Sequence, residues 1–225
     1  MIDLRREGSV FVLTMQSGEN RFNREFLDAM TEAFDQVEAE PGAAALVTTG
    51  GTEKFYSNGL DLDWLLGEGR GEGVGFVARF LAFLGRTLGF PVPTVAAVNG
   101  HAFAGGGMFA LAHDFRVVRS DRGFFCLPEI DIKLPLAPGM LALIQAKIDA
   151  PNSRDLILRG LRVGGEEAVQ RRVADESVPA DQVVARAMAL AEPLASKDRA
   201  TYGALKRGMY GAAITLLEKG ELPAG

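Results

Sequence analysis

Short apolar runs, each closed by a turn signal, do most to restrict what this chain can fold into. Residues 10–15 (VFVLTM), 43–49 (AAALVTT), 94–100 (TVAAVNG) and 115–120 (FRVVRS) are too short for stable helices and rich in strand-favouring side chains. After the turn DRG, the run FFCL is also strand-like and stops at Pro128-Glu129. Helical periodicity lies between the runs. In residues 21–40, Phe26, Leu27, Met30, Phe34 and Val37 share one face, Asn23 is placed to cap it, and Phe22 could staple onto Leu27. In residues 74–88, Phe76, Val77, Phe80, Leu81, Leu84 and Leu88 repeat the pattern until Pro91-Val-Pro93 breaks it. Further helices are expected near Pro138, near Asn152 or Ser153, through residues 164–173, from Asp181 to Ser196 and from Asp198 to Tyr210. Lys54 to Gly75 reads as a loop. The plan is strand, strand, helix, repeated and followed by a helical tail. That is α/β, with strand spacing too irregular for a plain doubly wound sheet.

Composition removes several classes of function. The 24 basic and 29 acidic residues leave a net charge of −5, and no basic run stands out, so nucleic acid is not an expected partner. A single cysteine, Cys126, allows no disulfide within the chain and reads as a small hydrophobe in its apolar run. Two histidines without Cys/His spacing give no expectation of a metal. Neither a membrane span nor a signal segment is evident, and ELPAG is no peroxisomal address, so the cytoplasm is the expected compartment.

Three stretches combine backbone freedom with polar groups. In Ser57-Asn58-Gly59-Leu60-Asp61, the glycine permits close approach to a ligand and leaves the Leu60 N–H available; an ordinary turn fits the same residues. Gly105-Gly106-Gly107 opens a helix, where orphan N–H groups favour a negative oxygen; close helix–sheet packing would also explain the glycines. In Leu127-Pro128-Glu129-Ile130-Asp131 a carboxylate sits among apolar neighbours, and burial there would make it a base or acid near neutrality. A glutamate at a strand end is otherwise solvated, as Asp131 and Lys133 are expected to be. Asp61 and Asp63 fit a polar loop better than a metal site, His101 and His113 fit structural roles, and Trp64 fits packing or a lid. No G-x-S-x-G elbow is present.

Taken together, FYSNGLDLDW and PVPTVAAVNGHAFAGGGMFALAHDFRVVRSDRGFFCLPEIDI resemble the crotonase (enoyl-CoA hydratase/isomerase) superfamily, with RGLRVGGEEAVQRRVADESVP extending the likeness. The resemblance implies a spiral of ββα units over residues 1–194, a short helical region over 195–225, and assembly as trimers or paired trimers. It implies an acyl-CoA thioester as substrate and no separate cofactor. The Leu60 and Gly106 N–H groups would hold the thioester oxygen, and Asn58, Gly59, Asp61, Leu62, Gly105, Phe109 and Pro128 would line the site. Hydratases of the superfamily carry a second glutamate two residues beyond the glycine triplet. Here that position is Phe109, so the likeness is to the 3,2-trans-enoyl-CoA isomerases of the plant peroxisomal branch, with Glu129 moving one proton between two carbons. A hydratase, another enolate-forming enzyme or a non-catalytic acyl-CoA binder are the alternatives. Met108, Phe109, Leu127 and Ile130 are expected to keep the site dry. The chain departs from its relatives at Lys133, which stands where many have glycine, at Pro135 and Pro138, and in its shortness beyond Leu194.

Overall fold

A computed structural model describes residues 1–223; the last two residues of the expected 195–225 region lie outside the described residues. The chain opens with an antiparallel pair, β1 (Ile2–Glu7) and β2 (Val10–Met15), followed by α1 (Arg24–Ala39). Three strand–strand–helix units come next. They are β3 (Ala45–Gly50) and β4 (Phe55–Ser57) with α2 (Leu62–Leu66) and α3 (Gly73–Leu88); β5 (Thr94–Val98) and β6 (His101–Phe103) with α4 (Gly105–Ala112); and β7 (Phe115–Arg119) and β8 (Phe125–Cys126) with α5 (Pro138–Lys147). The tail holds α6 (Ala150–Arg159), α7 (Gly165–Gln170), β9 (Glu176–Val178), α8 (Val183–Ala191) and α9 (Arg199–Lys219).

The first strand of each unit enters a six-stranded sheet of order β1-β2-β3-β5-β7-β9, and the second enters a three-stranded parallel sheet of order β4-β6-β8. Each turn of the chain therefore adds one strand to both sheets. Every residue of β3 and β5 is buried, because the large sheet is covered on both faces. Alternation along the strands sorts the side chains. Leu46, Ala96 and Val98 pack with α1, α3 and α4, whereas Val47, Val95, Ala97 and Val117 pack against Val183, Ala187 and Ala191 of α8.

The expected face of α1 is buried in full, and the Asn23 side chain accepts from the Phe26 N–H at 3.0 Å. Other boundaries differ from expectation. Lys54 to Gly75 is not one loop: β4 and α2 lie within it, and α3 begins at Gly73. Three-residue strands such as β4 and β6 carry no readable period and exist because neighbouring strands supply their hydrogen bonds. Strands β1 and β9 are equally silent in the sequence: they lie at the edges of the large sheet, β1 mostly exposed and β9 half-buried. Helix α6 starts earlier than expected, capped by Asp149 with Pro151 in its first turn. Between Asp181 and Leu194 only α8 is α-helical, with 3-10 turns at either end. Helix α9 runs on from Tyr210 to Lys219 because Ala213, Ile214 and Leu217 are buried in the main core.

Candidate active site

The three parallel strands of the small sheet set out the site. Ser57, Phe103 and Cys126 are the last residues of β4, β6 and β8, so all three strands end at one edge. Leu60 follows Ser57 by three residues, Gly106 follows Phe103 by three, and Glu129 follows Cys126 by three. Chemistry in parallel α/β sheets gathers at the carboxyl ends of strands, where loops diverge and N–H groups are spare.

Backbone bonds tie these segments together. Phe22 forms a parallel bridge with Leu60, donating to the Gly59 carbonyl at 2.8 Å and accepting from the Asp61 N–H at 2.9 Å. In that pattern the N–H and carbonyl of Leu60 point away from Phe22, and its N–H has no partner among the described residues. Gly59 turns the chain with φ of +82°, and a β-carbon on it would stand 2.8 Å from the Gly105 nitrogen. A β-carbon on Gly106 would stand 2.3 Å from the Ser57 carbonyl oxygen. The β4 loop and the start of α4 thus approach closer than any side chain would allow. Gly106 is the second residue of α4, where an N–H has no acceptor within the helix. Ala104, two residues earlier at the N-cap of α4, is held at φ 49°, a left-handed value that costs an alanine on the order of 1–3 kcal/mol. That residue also donates to the Cys126 carbonyl at 2.9 Å, joining α4 to the strand that leads to Glu129.

Glu129 occupies a 3-10 turn, Pro128–Ile130, closed by the Asp131 N–H donating to the Pro128 carbonyl and the Leu134 N–H donating to that of Glu129. Its Oε2 is buried without a hydrogen-bond partner. Burial pushes the Glu129 carboxyl up to about 7, opposed only by a bond from its own backbone N–H. A carboxyl so placed exchanges a proton readily near neutral pH.

The remaining expected residues divide. Asn58 fastens the β4 loop to Glu19, its amide on the Glu19 carboxylate at 2.8 Å and its N–H on the Glu19 carbonyl at 2.9 Å. Asp61 caps α2 through the Trp64 N–H, Gly105 lies against Phe80, and Pro128 starts the glutamate's turn. Leu62 is exposed on α2. Phe109 is fully buried among the rings of Phe22, Phe34, Phe83, Tyr56 and His113. Met108 and Leu127 are buried as expected, but Ile130 is 52% exposed and does not seal the site within this chain. Its turn leaves the sheet for the surface, and burial falls from Leu127, fully buried, through Pro128 and Glu129 to the exposed Ile130 and Asp131. Lys133, standing where relatives have glycine, takes the left-handed φ of 58° that glycine would favour. Trp64 packs edge-on against Phe76, with Gly69 beneath its ring. Asp63 pairs with Arg21.

Sequence reasoning missed the clamp beneath the β4 loop. Asn20 is fully buried at φ 51°, its amide donating to the Tyr56 carbonyl at 2.9 Å and its own carbonyl accepting from Ser57 Oγ at 2.7 Å. An asparagine in SGEN was the available signal, since asparagine tolerates the left-handed conformation.

The family model described as "Enoyl-CoA hydratase/isomerase" matches residues 5–220. Among curated proteins, Enoyl-CoA delta isomerase 3 of Arabidopsis thaliana is 35% identical over 219 residues, covering 93% of this chain and 92% of the relative. Enoyl-CoA delta isomerase 2, peroxisomal, from the same plant is 33% identical over 221 residues, with the same coverage of 93% and 92%. A carnitinyl-CoA dehydratase of Salmonella enteritidis is 30% identical over 206 residues, covering 91% of this chain and 78% of the relative. The crystal structure of a probable enoyl-CoA hydratase from Mycobacterium tuberculosis superposes with a TM-score of 0.90 at 24% identity, over 97% of this chain and 92% of that one, which shows the fold. Two sheets fed by successive strand–strand–helix turns are the crotonase fold, and this chain belongs to the enoyl-CoA hydratase/isomerase family of the crotonase superfamily.

Proposed function

We propose that this protein isomerises 3-enoyl-CoA thioesters to their 2-trans isomers. The observation that carries the reading is a single desolvated carboxylate, Glu129, at a sheet edge that also presents the unpaired N–H groups of Leu60 and Gly106. The thioester oxygen accepts from both N–H groups. Glu129 removes a proton from the α-carbon, and the charge of the resulting dienolate falls on that oxygen, where fixed donors stabilise it most. The protonated Glu129 then delivers its proton to the γ-carbon, leaving the double bond conjugated with the thioester. Phe109 stands one helical turn beyond Gly106, where a second, water-activating acid would otherwise be placed. Likeness to two proteins named delta isomerases supports the same choice.

Hydration or dehydration is the second reading, supported by the likeness to carnitinyl-CoA dehydratases. Trimeric assembly and a cytoplasmic location belong to the proposal on the same resemblance and composition. The test is Glu129→Gln, assayed for isomerisation and for water addition to 2-enoyl-CoA in parallel. The expected result is a loss of isomerisation of about 10²–10⁴-fold with thioester affinity kept within a few-fold. An undiminished rate removes Glu129 from the chemistry. Hydration by the unmodified protein as fast as isomerisation selects the second reading.

A further inference from the structure

Behind α4 lies a buried hydrogen-bonded chain. His113 Nδ1 is 2.8 Å from the Phe109 carbonyl oxygen, His113 Nε2 is 2.9 Å from Thr48 Oγ1, and Thr48 Oγ1 is 2.7 Å from Tyr56 Oη. All three side chains are fully buried. A carbonyl only accepts, so Nδ1 carries the ring proton and Nε2 accepts from the threonine hydroxyl. Having donated its hydrogen, Thr48 accepts from Tyr56. Burial lowers the His113 pKa to about 3, which keeps the ring neutral, as this assignment requires. Each bond direction is therefore fixed, and no member of the chain lacks a partner.

The placement of the ends matters more than the bonds themselves. Helix α4 has only eight residues, and at its end the His113 N–H bonds the Ala110 carbonyl at 3.3 Å, so the Phe109 carbonyl takes its donor from the imidazole instead. The far end of the chain, Tyr56, is on β4 immediately before Ser57, whose carbonyl abuts Gly106 at the opposite end of α4. One strand thus grips the helix at both ends. That same strand carries Leu60 three residues beyond Ser57.

We infer that Tyr56, Thr48 and His113 are positioning residues that hold α4 against β4, fixing the distance and angle between the Gly106 and Leu60 N–H groups on a thioester oxygen. The inference rests on the enolate-forming reading of the site. A role in core packing alone predicts the opposite response to two substitutions at Thr48. Thr48→Val keeps the volume and loses the hydroxyl, whereas Thr48→Ser loses a methyl group and keeps the chain.

The experiment measures kcat and KM for 3-enoyl-CoA isomerisation, the infrared carbonyl stretch of bound hexanoyl-CoA, and the amide resonances of Gly106 and Leu60 in the free protein. Thr48→Val is expected to lower kcat about ten-fold or more with KM within about two-fold, to reduce the red shift of the carbonyl stretch, and to move both amide resonances. Thr48→Ser is expected to stay close to the unmodified protein in all three. Tyr56→Phe, which leaves the Thr48–His113 bond in place, should move the same readouts in the same direction and serves if Thr48→Val does not fold. Unmodified values in Thr48→Val, or a larger loss in Thr48→Ser, overturn the inference. If the unmodified protein neither isomerises 3-enoyl-CoA nor shifts the carbonyl stretch, the enolate-forming reading fails, and the amide resonances still decide whether the chain sets α4.

Discussion

The surroundings of Glu129 tie the protein's stability to pH. Its carboxyl is raised from an ordinary 4.5 to about 7 because burial disfavours the charge. A group with a raised folded pKa lends stability below its unfolded pKa and loses it as pH rises through the folded one. Over 4.5 to 7, a span of 2.5 pH units, this amounts to on the order of 3 kcal/mol. Glu129→Gln should therefore unfold at a higher temperature than the unmodified protein at pH 8, with the difference vanishing below about pH 4.5. Equal melting profiles at pH 8 would mean the carboxylate is solvated. On the proposed mechanism Glu129 must be ionised to act as base, so kcat/KM for isomerisation should rise with pH to a plateau, with a midpoint near the same value of about 7. His113 acts in the opposite sense: its pKa is lowered from 6.5 to about 3, so its contribution is complete above 6.5 and declines on acidification below it. The apolar neighbours of Glu129 were legible as sequence, but the orphaned Oε2 was not, since that depends on what the rest of the chain fails to place beside it.

Among the elements, the contact between β4 and α4 is the sensitive one. Gly106 has no unusual φ, so alanine there fits the backbone and fails only by meeting the Ser57 carbonyl at 2.3 Å. Gly106→Ala should push α4 away from β4 and lower kcat about 10²-fold, the scale of misplacing one oxyanion donor. Assay and circular dichroism together check it, because the helical signal should persist. Gly59→Ala adds backbone strain at φ +82° to a 2.8 Å approach to the Gly105 nitrogen, and should cost stability as well as rate. The triple glycine announced a close approach without saying to what. Strands β4, β6 and β8 are too short to show a period, and their shared edge is a product of parallel pairing between distant segments.

For the molecule as a whole, α9 is fastened back to the sheet by a buried pair. Lys206 Nζ sits 2.7 Å from an Asp114 carboxylate oxygen, whose partner oxygen accepts from the Thr94 N–H at 2.9 Å and the Tyr202 hydroxyl at 3.1 Å. Lys206→Met would leave that carboxylate buried beside fewer positive charges, at a cost of about 3 kcal/mol or more, roughly 6–12 °C in melting temperature. A loss within about 1 °C would show that the pair contributes little to docking α9. No helix among the described residues is long and apolar enough to cross a membrane. What the sequence determined alone was the α/β class, the buried face of α1, the likeness to one superfamily, and the three segments able to supply two N–H groups and a carboxylate. Those follow from local chemistry, since period, glycine and apolar neighbours are written within a few residues of each other. Tertiary structure alone decided that β4, β6 and β8 end at one edge, that Phe109 is enclosed by five aromatic rings, that Asn20 bonds the β4 segment, and that Thr48, Tyr56 and His113 form one buried hydrogen-bonded chain. The reason is physical: a buried hydrogen bond or a pairing register is a relation between residues far apart in the chain, and neither partner carries it by itself.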